Sequence, residues 1–264
     1  MVIQPERPQS IGGVLDTTFQ LYKASVAKVW PVCLVAAIAS VLPSVYVLSV
    51  GGANPLNAVQ AMSNSMYWVV YAATLTLSLW VAAALLTQQH GIGVGENPGA
   101  SGALRAATGR VPALFGMAIL FIIALLLGMI LLVIPGMILM VSLMLGATLV
   151  VLERKGPVEA LKGSHTLVWG DWWRSAATVT IAFILVAVVY AAIAFLMGIV
   201  IGAVGVSSDD AFLAGMVMAL LLSGLMTFIV SPFYTALLIT LYWDLKLRKQ
   251  GGDLAARVAA LNPA

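Results

Sequence analysis

The sequence predicts an all-α membrane protein with six transmembrane helices, and three observations support this fold class. The chain has 264 residues, of which 62% are hydrophobic and only 9% are charged. A soluble domain has about 25% charged residues, so this composition indicates a polytopic membrane protein. The chain also contains apolar runs long enough to cross a bilayer core about 30 Å thick. Finally, every Lys and Arg lies in alternate segments between these runs.

Other protein classes are excluded by simple features of the chain. The single cysteine, Cys33, rules out a disulfide scaffold, and the net charge of +3 is too small and scattered for nucleic-acid binding. Residues 118–127 are all apolar and lack the alternation of a β-barrel strand. The first apolar run starts only at Trp30 and is too long for a cleaved signal peptide, so we expect a retained helix.

The apolar runs place the six crossings. We expect them at about 30–50, 66–86, 111–133, 137–152, 175–206 and 212–243. The third and fourth come from one apolar stretch, Val111 to Leu152, which we divide at the turn-forming Ile134-Pro135-Gly136. The last two runs would each be about 48 Å long as helices and must tilt, kink or extend beyond the bilayer. Pro43 and Pro232 are the expected kinks.

The distribution of basic residues predicts the orientation. All 13 Lys and Arg lie before the first crossing, between the second and third, between the fourth and fifth, or after the sixth. The opposite loops, 51–65, 134–136 and 205–210, contain none. By the positive-inside rule, both termini are therefore expected in the cytoplasm.

Three short amphipathic segments are predicted on the cytoplasmic side, at about 10–29, 98–109 and 157–169. In the first, apolar residues recur at helical spacing from Ile11 to Val29. Each segment precedes a pair of crossings, which suggests a threefold internal repeat within a single membrane domain, 1–264, ending in a tail at 244–264. Such a repeat is consistent either with a duplicated, stabilised bundle or with a transporter.

Several motifs resemble those of a known family. The most specific are Glu153-x-x-Gly-Pro-x-x-Ala-Leu161, within Val151–Arg174, and the tail segment Leu241–Leu254. With Ile134-Pro135-Gly136 and Ile11–Asp16, they resemble the bacterial YciC-like integral membrane proteins. These are similar to the membrane domain attached to some glycerophosphodiester phosphodiesterases, without the catalytic domain. The resemblance implies a fold and a bacterial inner-membrane location, but no activity. Gln250 departs from it, since the family usually has Glu there.

The sequence offers no candidate catalytic, cofactor or metal site. No Asp, Glu, Lys, Arg or His lies in the middle of a predicted crossing, which disfavours a proton-coupled pump. Ser164 and His165 lack a third partner for a hydrolase and are interpreted as solvated interfacial residues. Asp244 is expected either to cap a helix or to pair with a cytoplasmic Lys or Arg.

We therefore expect a non-catalytic protein that organises lipids or partner proteins through the three amphipathic segments. Neither a cofactor nor nucleic acid is expected to bind, whereas anionic lipid and a membrane or cytoplasmic protein are the expected partners. The alternative is a permease or channel for a small solute or lipid. The expected lipid or partner contacts are basic or aromatic and lie near the cytoplasmic boundary: Lys23, Lys28, Arg154, Lys155, Lys162, Trp172, Trp173 and Arg174.

Overall fold

The computed structural model describes residues 2–52, 54–204 and 211–261, and all regular secondary structure in these residues is α-helical. Six of the helical segments are long and apolar enough to cross a membrane, which confirms the predicted all-α membrane fold. The helices within the described residues are α1 (Ile11–Gly51), α2 (Pro55–Ser63), α3 (Ser65–Gly93), α4 (Gly99–Thr108), α5 (Val111–Leu131), α6 (Val133–Leu143), α7 (Gly146–Leu152), α8 (Pro157–Val168), α9 (Trp172–Val204) and α10 (Ala211–Leu261).

The first amphipathic segment is continuous with the first crossing in α1 and is not a separate helix. The helix begins where the Ser10 side chain accepts a hydrogen bond from the backbone N–H of Gly13, and it continues through Pro31 and Pro43. The predicted apolar stripe is only partly covered by protein: Val29 is buried and Phe19 is exposed, and the other members, Ile11, Leu15, Tyr22 and Val26, are half-buried. Val14, Leu21 and Val29 are fully buried, and this part of α1 packs against α3 and α10. The face of α1 that packs most closely against neighbouring helices therefore lies beside the predicted stripe and shares Val29 with it.

The connection between the third and fourth crossings lies at Leu132, two residues before the predicted turn. Leu132 is extended, with φ −172° and ψ 153°. Pro135 falls in the first turn of α6, where its missing N–H would have no helical partner in any case. A Cβ atom on Gly128 would lie 3.1 Å from the Cα atom of Gly136, so two glycines allow α5 and α6 to pack closely.

The fourth crossing is interrupted between α6 and α7, and a side chain from α8 bridges the break. The Ser164 hydroxyl donates to the Ser142 carbonyl (2.8 Å) and accepts from the Leu145 N–H (3.1 Å). Ser164 is fully buried, so its interpretation as a solvated residue is wrong, whereas His165 is exposed. The reason is that the break leaves backbone groups unpaired in an apolar environment, where a hydroxyl is the nearest partner.

Two of the predicted loops without basic residues are those at 51–65 and 205–210. Residues 51–65 were expected to be a loop, but they contain α2, whose N-cap Asn54 accepts from the Leu56 N–H through its side chain. Asn64 caps α3 in the same way through the Met66 N–H. The predicted loop at 205–210, and with it the junction of the last two crossings, lies outside the described residues.

Buried side chains are concentrated in one part of the bundle. They come from the first half of α1, the second half of α3, and the stretch 233–245 of α10, together with α7 and α8. At its centre the fully buried Gln89 amide donates to the Ser25 hydroxyl (3.0 Å) and the Pro232 carbonyl (2.8 Å), and it accepts from Thr235 (2.5 Å). By contrast, α5 and the described part of α9 expose large apolar side chains such as Ile130 and Phe183. These exposed faces are the surfaces suited to lipid.

Candidate functional site

Four segments that are distant in sequence meet at one place, which we call the charged end: residues 2–10, 90–98, 153–174 and 242–249. The backbone N–H groups of Ile3 and Gln4 donate to the Gly93 carbonyl at 2.8 and 3.1 Å. Lys249 donates to the Trp169 carbonyl at 2.9 Å. The N-terminal segment, the end of α3, the α8–α9 connection and the stretch 242–249 of α10 are thus fixed to one another.

Asp244 is the centre of the most buried charged cluster in the described residues. Its side chain is fully buried and accepts from the Gln9 backbone N–H (2.7 Å), Arg174 (3.0 Å) and Arg248 (3.0 Å). Both guanidinium groups also donate to the Gln9 carbonyl. Of the two roles expected for Asp244, the pairing with a basic residue is confirmed. Because an unpaired buried charge is costly, the carboxylate and the two guanidinium groups hold the three segments together.

Glu153, which follows α7, forms a second charged cluster. It pairs with Lys155 (2.7 Å) and Lys246 (2.9 Å), and the Tyr242 hydroxyl donates to it at 2.7 Å. Partial burial opposes the charged form, but these three hydrogen bonds outweigh it and lower the pKa of Glu153 to about 2. Glu153 therefore remains ionised at neutral pH and connects α7 to α10.

The residues expected to contact lipid or a partner fall into two groups. Lys23, Lys28, Arg154 and Lys162 are exposed, and no carboxylate lies within 4.0 Å of them among the side chains that the structure describes. Lys155 and Arg174 instead belong to the clusters around Glu153 and Asp244. Each of them therefore has a carboxylate partner within the protein.

The aromatic residues of the α8–α9 connection also differ in exposure. Trp173 is 82% exposed and Trp169 is 55% exposed. Trp172 is half-buried, and its indole N–H donates to the Ile138 carbonyl at 3.2 Å. Together with Ile134, these side chains line a cavity of about 380 Å³. Exposed tryptophans of this kind are typical of the boundary between hydrocarbon and water.

A lateral groove of about 230 Å³ lies between α1, α9 and α10. Its lining is apolar and aromatic, and includes Phe19, Tyr22 and Phe233. Phe19 and Phe233 have ring centroids 5.3 Å apart. A groove with this lining cannot coordinate an ion or a polar solute, because it offers almost no hydrogen-bonding groups.

Sequence reasoning missed several residues of the charged end. Gln9 was not singled out, although its backbone contributes three contacts around Asp244. Tyr242 and Gln89 were also missed; the only available signal was a polar side chain at the end of an apolar run. Among the residues that the structure describes, no three His, Cys, Asp or Glu side chains come together as a metal site.

Comparison with known proteins gives one match. A family model described as Domain of unknown function (DUF7847) matches residues 91–245, which is more than half of the chain. No curated protein matches the chain. No solved structure matches it either.

Proposed function

The chain belongs to the DUF7847 family. From this premise and from the geometry of the charged end, we propose that it is a non-catalytic membrane protein that organises anionic lipids. The family carries no assigned activity, so the proposal depends on the residues themselves. The contacts would be made by four exposed basic residues, Arg154 and Lys162 of the charged end and Lys23 and Lys28 on α1. There are two competing functions: binding of a partner protein through the same four residues, and transport of a solute as a permease. The experiment is designed to detect both.

The proposal depends on one observation: some basic residues pair with a carboxylate of the protein, and others do not. Arg174, Arg248 and Lys246 pair with Asp244 or Glu153 and stabilise the fold. The four exposed residues pair with no described carboxylate, so their charges are available to ligands outside the protein. A basic residue near an anionic membrane surface contributes up to about 1 kcal/mol of attraction.

The exposed tryptophans support a lipid rather than a soluble partner. Trp30 and Trp173 are 52% and 82% exposed, and each lies where a charged segment leads into an apolar helix. Indole rings are enriched at this depth because one edge is apolar and the N–H can face water. Basic and aromatic residues side by side are the combination that an anionic lipid headgroup region favours.

We also propose that the charged end faces the cytoplasm of a bacterial cell and that the protein is YciC-like. The absence of Lys and Arg from the opposite loops of the sequence supports the orientation. The family match includes all of Val151–Arg174, the more extensive of the two motifs that carry the YciC-like resemblance.

The proposal is tested by measuring which lipids surround the protein. The full chain is reconstituted into bilayers that contain spin-labelled phosphatidylglycerol or phosphatidylcholine, and the association of each label with the protein is compared. We expect a preference for phosphatidylglycerol, which is largely lost when Lys23, Lys28, Arg154 and Lys162 are all replaced by Gln.

A matched pair of single variants separates specific contact from overall charge. Lys162→Gln removes an exposed charge, and Lys155→Gln removes one that is paired with Glu153. The first variant should reduce the preference for phosphatidylglycerol more than the second. An equal effect of the two, or an unchanged preference in the fourfold variant, would contradict lipid organisation and favour a partner protein. Solute flux through proteoliposomes would favour the permease.

A further inference from the structure

A small polar cavity lies at the charged end, beneath the N-terminal segment. Its volume is about 150 Å³, and it is lined by Gln4, His90, Tyr242, Trp243, Lys246 and Leu247. The segment that carries Gln4 is held over α3 by the backbone hydrogen bonds to the Gly93 carbonyl and over α10 by the Gln9–Asp244 contact. The cavity therefore has a fixed wall from each of three parts of the chain.

Two side chains of this cavity carry hydrogen-bond donors that no described acceptor uses. The indole N–H of Trp243 is buried and has no acceptor among the described residues, although an indole nitrogen can only donate. Lys246 uses two of its three donors, on Glu153 (2.9 Å) and on the Tyr242 hydroxyl (2.7 Å). One ammonium donor and one indole donor therefore remain for a ligand that accepts hydrogen bonds.

The Glu153 cluster supplies the positive charge beside the cavity. Lys155 and Lys246 both contact Glu153, so this cluster carries one more positive than negative charge, while the Glu96 carboxylate is near enough to His90 to act on that ring as a negative charge. The carboxylate oxygens of Glu153 already accept from Lys155, Lys246 and Tyr242. They are thus occupied by internal partners, whereas the Trp243 indole N–H and one donor of the Lys246 ammonium group are not.

Trp243 is held in place by its contact with α3. A Cβ atom built on Gly93 would lie 2.3 Å from Cη2 of the Trp243 ring, so only glycine leaves room for the ring at this position. The His90 ring lies 5.8 Å from the Trp243 ring, centroid to centroid. A donor that is fixed before the ligand arrives binds more tightly, because little side-chain entropy is lost on binding.

We propose that this cavity binds a phosphate group, with Lys246 and Trp243 as donors and Gln4 closing the site. The volume suits a single phosphate group, either as the free ion or as the end of a phosphatidic acid headgroup. The proposal does not depend on the surface lipid contacts above, since Lys23, Lys28, Arg154 and Lys162 do not line the cavity.

The test uses the purified full chain and two probes. In detergent, the midpoint of thermal unfolding is followed as sodium phosphate is added, against sodium chloride at equal ionic strength. The same midpoint is measured in phosphatidylcholine nanodiscs with and without phosphatidic acid. A saturable rise with inorganic phosphate identifies the free ion, and a rise only with phosphatidic acid identifies the lipid; either result supports the site. No saturable rise with either probe would overturn it.

Three variants and a control assign the residues. Lys246→Gln and Trp243→Phe should each weaken phosphate binding by about tenfold, the usual effect of one lost hydrogen bond to an ionised group. Gln4→Ala should weaken it less, and it leaves the backbone bonds to Gly93 intact, so it keeps the test valid if a substitution in α10 impairs folding. Lys249→Gln removes a charge from α10 outside the cavity and should leave binding unchanged. Equal weakening by Lys249→Gln would refute a defined site.

Discussion

Replacing Asp244 with Asn should strongly destabilise the protein, because it removes the negative charge that two arginines share. The carboxylate is fully buried and accepts hydrogen bonds at 2.7 Å from the Gln9 N–H and at 3.0 Å from Arg174 and Arg248. Breaking a buried ion pair by removing one partner costs about 3–5 kcal/mol. The side chains of Arg174 and Arg248 are 20% and 28% exposed, so water can partly compensate them and we expect a loss of about 3 kcal/mol.

The free energy of unfolding can be measured by titrating the purified protein in mixed micelles with a denaturing detergent and following helix content. Asp16→Asn is the matched control, because Asp16 is an exposed carboxylate on α1, and we expect its effect to stay within about 0.5 kcal/mol. If Asp244→Asn differs from this control by less than about 1 kcal/mol, the pair behaves as a solvated surface ion pair and the reasoning is refuted.

Three further predictions concern acid stability, the break in the fourth crossing and topology. The pKa of Glu153 is lowered from 4.5 to about 2. Its contribution to stability should therefore be complete above pH 4.5 and be lost as the pH falls toward 2. In the Glu153→Gln variant, the free energy of unfolding should depend less on pH over this range. Ser164→Ala leaves the Ser142 carbonyl and the Leu145 N–H without their partner. It should lower the free energy of unfolding by about 1–3 kcal/mol in the same titration. The control His165→Ala, at an exposed site, should lower it by less than about 0.5 kcal/mol. A reporter fused after Ala264 should be active in the cytoplasm and inactive in the periplasm; the reverse result would contradict the proposed orientation.

The fold class was predictable because it depends on composition and on the length of apolar runs. A bilayer imposes a minimum helix length, and no detailed packing is needed to recognise Val111–Leu152 as two crossings. The position of the turn was less predictable, because Pro135 is compatible both with a turn and with the first turn of a helix. The structure places it in the helix, where Gly128 and Gly136 make close packing of α5 and α6 possible.

The charged end was predictable only in part. Pairing was one of two roles expected for Asp244, as a lone carboxylate beside basic residues, whereas its complete burial was not expected. The identities of its partners could not be predicted, because Arg174 lies 70 positions away from Asp244 in the sequence and Gln9 lies 235 positions away. The roles of Gln9 and Ser164 depend on backbone groups left unpaired by a particular three-dimensional arrangement, and a single sequence does not encode such groups in any local pattern.

The contact between Gln9 and Asp244 has a consequence for biosynthesis. At a translation rate of about 5–20 residues per second, the ribosome needs roughly 10–50 s to pass from the first residue to the second. Throughout this interval α1 is present without α10, and Thr18, which hydrogen-bonds Thr240 at 2.7 Å in the completed bundle, has yet to meet that partner. The helix α1 must therefore be held by the insertion machinery or by α3 until α10 arrives. Assembly of the charged end thus has to wait for the synthesis of α10, although the other half of its contacts is made much earlier.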